Sequence, residues 1–125
     1  MKDRTHTILV VDDDPDIQST LQLILEKHGY RVVIADSAES GLRAYKESAP
    51  DFIIVDLMME EIDSGTSLVK ELKALGNAAP IFLLSSVGDN LHATTDYAEL
   101  GLSGILQKPL DAQTILSVLG ARLGS

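Results

Sequence analysis

The chain has 125 residues, with 19 Asp and Glu against 10 Lys and Arg, giving a formal net charge of −9. That length holds one domain, expected to span residues 1–125 with its core over about 7–123, and leaves little room for a second core. The absence of cysteine excludes disulfides, thiolate metal sites and cysteine catalysis. The acidic balance argues against direct contact with nucleic acid or an anionic membrane surface, both of which call for clustered Lys and Arg. A hydrophobic share of 45% beside 23% charged residues marks a folded domain, not a disordered acidic segment. No apolar run is long enough for a membrane span or a signal peptide, so a cytoplasmic protein is expected.

Short apolar runs alternate with segments of helical period. Thr7–Val11 reads as the first strand. Ile17, Leu21, Ile24 and Leu25 then share one helix face, and Gly29 stops that helix. Arg31–Ala35 is the second strand, and Ser37 can cap a helix whose inward side carries Ala38, Leu42 and Tyr45. Phe52–Val55 follows as the third strand. Ser64 precedes a third helix with Leu68, Leu72 and Leu75 inward, ended by Gly76 and Asn77. Ile81–Leu84 is the fourth strand, and a weakly patterned helix over Asp89–Leu100 carries Leu91, Ala98 and Leu100. Gly104–Gln107 is the fifth strand, and Asp111 caps a last helix with Ile115, Val118 and Leu119 inward.

Five such units in a row predict an α/β fold with a doubly wound parallel sheet, right-handed crossovers and helices on both faces. The runs ILVV, FIIV and IFLL are apolar throughout, as strands covered on both faces must be, whereas RVVIAD and GILQK carry polar residues that edges tolerate. The second and fifth strands therefore go outside, which is the flavodoxin-like order 2-1-3-4-5.

The strands run into functional groups: Asp12, Asp13 and Asp14 after the first, Asp56 after the third, Ser85 and Ser86 after the fourth, and Lys108-Pro109 after the fifth. In an open parallel sheet the ligand site lies at the carboxyl ends of the strands, so these groups should converge. Gathered carboxylates repel unless a cation compensates, and an all-oxygen set suits Mg²⁺. One lysine beside carboxylates and a divalent ion is a good arrangement for a phosphoryl group attacked by a carboxylate. Each element has a plainer reading: an acidic triplet is often a solvated turn or helix cap, and a lone serine or Lys-Pro says little. Joint occurrence at four of five strand ends favours the functional reading. His6, His28 and His92 fall off the strand ends and read as surface or helix-end residues.

The segments ILVVDDDP, DFIIVDLMM, PIFLLSS and ILQKPL resemble, in order and spacing, the signature segments of the receiver domain of two-component response regulators. The resemblance covers the chain from Thr7 to about Leu123. It implies that Asp56 is the phosphoacceptor, charged by a histidine kinase or histidine phosphotransfer protein, and that the cofactor is Mg²⁺. Asp13 would ligate the ion directly, Asp12 through a bound water, and Asp56 and the backbone carbonyl of Met58 would complete the protein ligands. Ser85 and Lys108 would hold the phosphoryl oxygens, and the Lys108-Pro109 peptide would be cis. Ser85 and position 105 would form the switch, so that phosphorylation alters a protein-interaction surface. Self-phosphorylation from a small donor and self-dephosphorylation would follow, without a dedicated enzyme activity.

Several positions depart from that pattern. Glu60-Glu61 stand where Pro-Gly is usual, Asp63-Ser64-Gly65 reshape the following turn, Ser85 replaces the commoner Thr, and Ile105 holds the position usually given to Tyr or Phe. Two other readings compete. One is a pseudo-receiver that binds partners without phosphorylation. The other is a small Mg²⁺-dependent phosphohydrolase of the haloacid dehalogenase type, suggested by Asp12-x-Asp14 but opposed by Asp16 where Thr or Val is expected. The downstream partner is an effector protein or an output domain missing from this chain, with the chain itself a monomer or weak dimer. The short stretch before the first strand favours a response regulator over the carboxyl-terminal receiver of a hybrid kinase.

Overall fold

The computed structural model describes residues 5–56, 64–85, 102–107 and 110–123. The strands are β1 (Thr7–Val11), β2 (Arg31–Ala35), β3 (Phe52–Asp56), β4 (Ile81–Ser85) and β5 (Gly104–Gln107). The described helices are α1 (Pro15–Lys27), α2 (Ala38–Ser48), α3 (Ser64–Ala74) and α4 (Ala112–Leu123). All strand pairs are parallel, in the order β2-β1-β3-β4-β5 expected from strand composition. The expected helix over Asp89–Leu100 lies outside the described residues.

Alternate strand positions feed two cores. On one face Leu9, Val11, Ile53, Val55, Ile81 and Leu83 pack under α2 and α3 through Leu42, Tyr45, Leu68, Val69 and Leu72. On the other, Ile8, Val10, Phe52, Ile54 and Leu84 pack under α1 and α4 through Leu21, Leu25, Ile115 and Leu119. Each fully buried aliphatic side chain contributes about 1.5–3 kcal/mol relative to exposure, so helices on both faces are what make three all-apolar central strands tolerable.

The helix ends follow local chemistry. Asp14 caps α1 by accepting from the backbone N–H of Asp16 at 2.9 Å. Beyond the last turn of α1, Gly29 takes φ +90°, where L side chains are strained. The His28 ring lies 3.1 Å from the Ile24 carbonyl, a helix-end role for that histidine. Ser37 and Ser40 form a reciprocal capping box on α2. Two expectations for the third helix are corrected. Ser64 is its first residue, not its predecessor. Leu75 is 50% exposed: the helix ends at Ala74 and Gly76, at φ +84°, turns the chain away, so Val69 takes the inward place instead.

Two glycines permit close approach. At Gly41 on α2 a Cβ would stand 2.9 Å from Val11 Cγ2 and 3.2 Å from Leu68 Cδ2. At Gly104 on β5 it would stand 2.6 Å from Phe82 Cε2. The Phe82 ring also stacks on Phe52, with centroids 5.2 Å apart, and lies beneath the Arg122 guanidinium at 5.6 Å.

Replacing Gly41 by Val should destabilise the protein by about 1–3 kcal/mol through overpacking, read as a lower urea midpoint at unchanged slope. At the start of α4, Asp111 Oδ2 accepts from Thr114 Oγ1 at 2.7 Å and Thr114 N at 3.1 Å. The Thr114 hydroxyl, then the Thr114 and Gln113 backbone amides, hold its carboxyl below the usual 3.8. A depressed carboxyl stabilises the fold fully above its unfolded value and loses that contribution as pH falls through the folded value. Asp111→Ala should therefore lower the melting temperature at neutral pH, and the gap to wild type should narrow as pH falls below 3.8. An equal gap at both pH values would contradict this cap.

Candidate metal and phosphoryl site

Sheet register builds the site. Val11 pairs with Val55, so the next residues, Asp12 and Asp56, leave neighbouring strands side by side. Both continue the strand parity of Val10 and Ile54, which belongs to the α1 and α4 face. Asp12 is fully buried and Asp56 is 5% exposed, whereas Asp13 is exposed. One carboxylate oxygen from each of the three lies within 4.8 Å of the others. Ser85 ends β4 one residue past Leu84, the partner of Asp56, and is also 5% exposed.

The acidic segment is held by hydrogen bonds that leave its charge intact. Asp12 N donates to Ala35 O at 3.0 Å, tying it to β2. Asp12 Oδ1 accepts from Asp14 N at 2.9 Å, a local side-chain turn that sets the carboxylate direction. The Asp12 carbonyl accepts from Gln18 Nε2 at 2.6 Å. Asp14, the third acid, is committed to capping α1. The structure brings Asp12, Asp13 and Asp56 together and leaves Ser85 at the same edge, and it adds Gln18, which the sequence did not point to. A glutamine six residues past Asp12 is no signal by itself, because the angle between β1 and α1 decides whether its amide reaches back.

Ile105 on β5, expected at the switch position, pairs with Leu83 on β4 and packs partly buried against the α2 and α3 side of the core. Met58, Glu60, Glu61, Asp63, His92, Lys108 and Pro109 lie outside the described residues. A cleft of about 280 Å³ lies beside β5 and the start of α4, lined by Leu106, Gln107, Leu110, Asp111, Thr114 and Ile115. Another, of about 440 Å³, opens at the amino ends of the strands, where Asp51 Oδ2 accepts from Thr7 N at 2.8 Å.

Comparison with known proteins agrees with this geometry. The response regulator receiver domain matches residues 8–120. The chain belongs to that family. It is 32% identical over 119 residues to the chemotaxis protein CheY of Bacillus subtilis, covering 94% of this chain and 98% of CheY. Several curated transcriptional regulators it matches are longer, and the chain spans about a quarter of their length. Among solved structures, one from Chloroflexus aurantiacus assigned as a response regulator superposes with a TM-score of 0.85 at 32% identity, covering 98% of this chain and all (100%) of that one. The receiver domain of the sensor histidine kinase PA1611 from Pseudomonas aeruginosa, with a magnesium ion coordinated in its active-site cleft, gives 0.83 at 25% identity, covering 98% and 100%. As a receiver domain, the chain fits a switch worked by phosphorylation, and family membership favours neither the phosphohydrolase nor the partner-only reading. Among the described residues, no helix is long and apolar enough to cross a membrane.

Receiver domains bind Mg²⁺ in the active site, and the donor set here fits that ion. Three carboxylates within 4.8 Å supply hard oxygen ligands, with Asp13 exposed so that coordinated waters can be kept. At about 5 Å, a carboxylate pair partly screened by water repels by about 3 kcal/mol. Asp13→Asn should therefore raise the thermal midpoint in EDTA and abolish the further rise that Mg²⁺ gives wild type by mass action. A variant that melts lower in EDTA, or still gains from Mg²⁺ as wild type does, would contradict a repulsive metal site.

Proposed function

We propose that Asp56 is the phosphoacceptor of this receiver and takes its phosphoryl group from a histidine kinase or histidine phosphotransfer protein in the cytoplasm. The observation that carries this reading is the buried Asp56 carboxylate at the end of β3, gathered with Asp12 and Asp13 and one register step from Ser85. A carboxylate oxygen of Asp56 attacks phosphorus, the P–N bond to the donor imidazole breaks, and the leaving imidazole takes up a proton. The product is an acyl phosphate, a mixed anhydride that water can hydrolyse back to carboxylate and phosphate.

Asp12, through a water, together with Asp13, Asp56 and the Met58 carbonyl, would hold Mg²⁺. When bound, the ion neutralises charge on the phosphoryl oxygens. The Ser85 hydroxyl donates to one phosphoryl oxygen and the Lys108 ammonium pairs with another. The new charge draws Ser85 toward the site, and Ile105 replaces the usual aromatic switch by aliphatic repacking beside Leu83. The altered surface then engages an effector protein or an output domain.

Incubation with Mg²⁺ and acetyl phosphate, read by intact mass, should add one phosphoryl group to wild type and none to Asp56→Asn. Chelation of Mg²⁺ should suppress the gain, and a generic phosphoester should not turn over. No gain on wild type, or equal gain on Asp56→Asn, would sink the assignment.

A further inference from the structure

We propose that Gln18 is a positioning residue for the acidic site: its side-chain amide fixes the peptide that carries Asp12 and Asp13 and so sets the site's affinity for a divalent cation. The inference rests on the reading of these carboxylates as a Mg²⁺ site.

Gln18 lies in the first turns of α1 and is partly buried. Its Nε2 donates to the Asp12 carbonyl at 2.6 Å, while its backbone N donates to the Asp14 carbonyl at 3.0 Å. A single residue thus grips both ends of the three-aspartate segment. The peptide group is planar, so the Asp12 carbonyl oxygen, the Asp13 nitrogen and both Cα atoms lie in one plane. Pinning the oxygen fixes the rotation of that plane about the chain. The direction in which Asp13 leaves the backbone is then no longer free.

Two further hydrogen bonds among the described residues act elsewhere on the segment. Asp12 N is held by Ala35 O and Asp12 Oδ1 by Asp14 N, which orient the Asp12 backbone entry and its carboxylate. Asp13 is exposed and flanked by these fixed neighbours, so its placement depends on the peptide before it. Gln18 sits on a rigid support: α1 is anchored on the sheet by the fully buried Leu21 and Leu25. Its chemistry also suits the place. An amide donates a hydrogen bond without a charge, so it orders the carboxylates while leaving their full negative potential for the cation. A lysine or arginine would order the carbonyl and compete with the ion.

The test is calorimetric titration of the whole chain with Mg²⁺ alone, for wild type, Gln18→Met, Gln18→Asn and the control Gln22→Met. Methionine keeps the length but has no donor, and asparagine keeps the amide but falls one methylene short. Gln22 lies one turn further along α1, exposed, with its amide 3.2 Å from Glu26 Oε2. Loss of such an outer-sphere contact weakens metal binding by about tenfold or more, so both Gln18 variants should show that loss while Gln22→Met stays within about twofold of wild type. Urea midpoints in EDTA separate a structural role, which would lower the midpoint and leave the dissociation constant of the folded protein unchanged. A dissociation constant within about twofold of wild type for Gln18→Met and Gln18→Asn would overturn the proposal. If wild type takes up no Mg²⁺, the metal reading itself fails and the proposal falls with it.

Discussion

The parallel register of β1 against β3 is the constraint on which the site depends. With Val11 opposite Val55, the chain has no choice but to deliver Asp12 and Asp56 to one edge on one face, inside a span that like charges would avoid. What holds them there is not any favourable contact between them. It is the apolar packing of the same strands a few residues earlier, where Ile8, Val10, Phe52 and Ile54 are wholly buried. The sheet spends part of its hydrophobic stabilisation on keeping anions together. A binding site for a cation is the chemical result.

Among the described residues, two hydrogen bonds beside those anions differ in kind. Asp14 N to Asp12 Oδ1 orders a carboxylate directly, whereas Gln18 Nε2 to the Asp12 carbonyl orders only backbone. Neither cancels charge. The plain interpretation of an acidic triplet as a helix cap is true of Asp14, which starts α1, and untrue of Asp12, which is buried at a strand end. One run of three identical residues therefore serves two physical purposes, separated by where β1 stops and α1 begins.

Much of this was legible in the sequence because burial writes itself into composition. All-apolar ILVV, FIIV and IFLL required cover on both faces, and the polar content of RVVIAD and GILQK marked edges, which together yield the observed strand order. Residues at strand ends were equally readable, since a parallel sheet sends every carboxyl end the same way. Leu75 misled because periodicity continues past the point where a helix ends; Gly76 decided that end. Gln18 was illegible for another reason. Its role is set by the angle at which α1 leaves β1, a property of tertiary packing that no spacing rule states. Gly41 likewise looks like an ordinary weak helix residue until Val11 and Leu68 are found against it.

The contact of Phe82 with Gly104 has a consequence for how such a chain can vary. A glycine on an edge strand leaves backbone bare, and here a ring from the neighbouring strand covers it so closely that any side chain at 104 would collide with it. The two positions, more than twenty residues apart, are sterically coupled. An aromatic at 82 obliges glycine at 104, and a larger residue at 104 obliges something smaller at 82. Single substitutions at either place meet a barrier that a paired change would pass, so this edge of the sheet can drift only in coordinated steps.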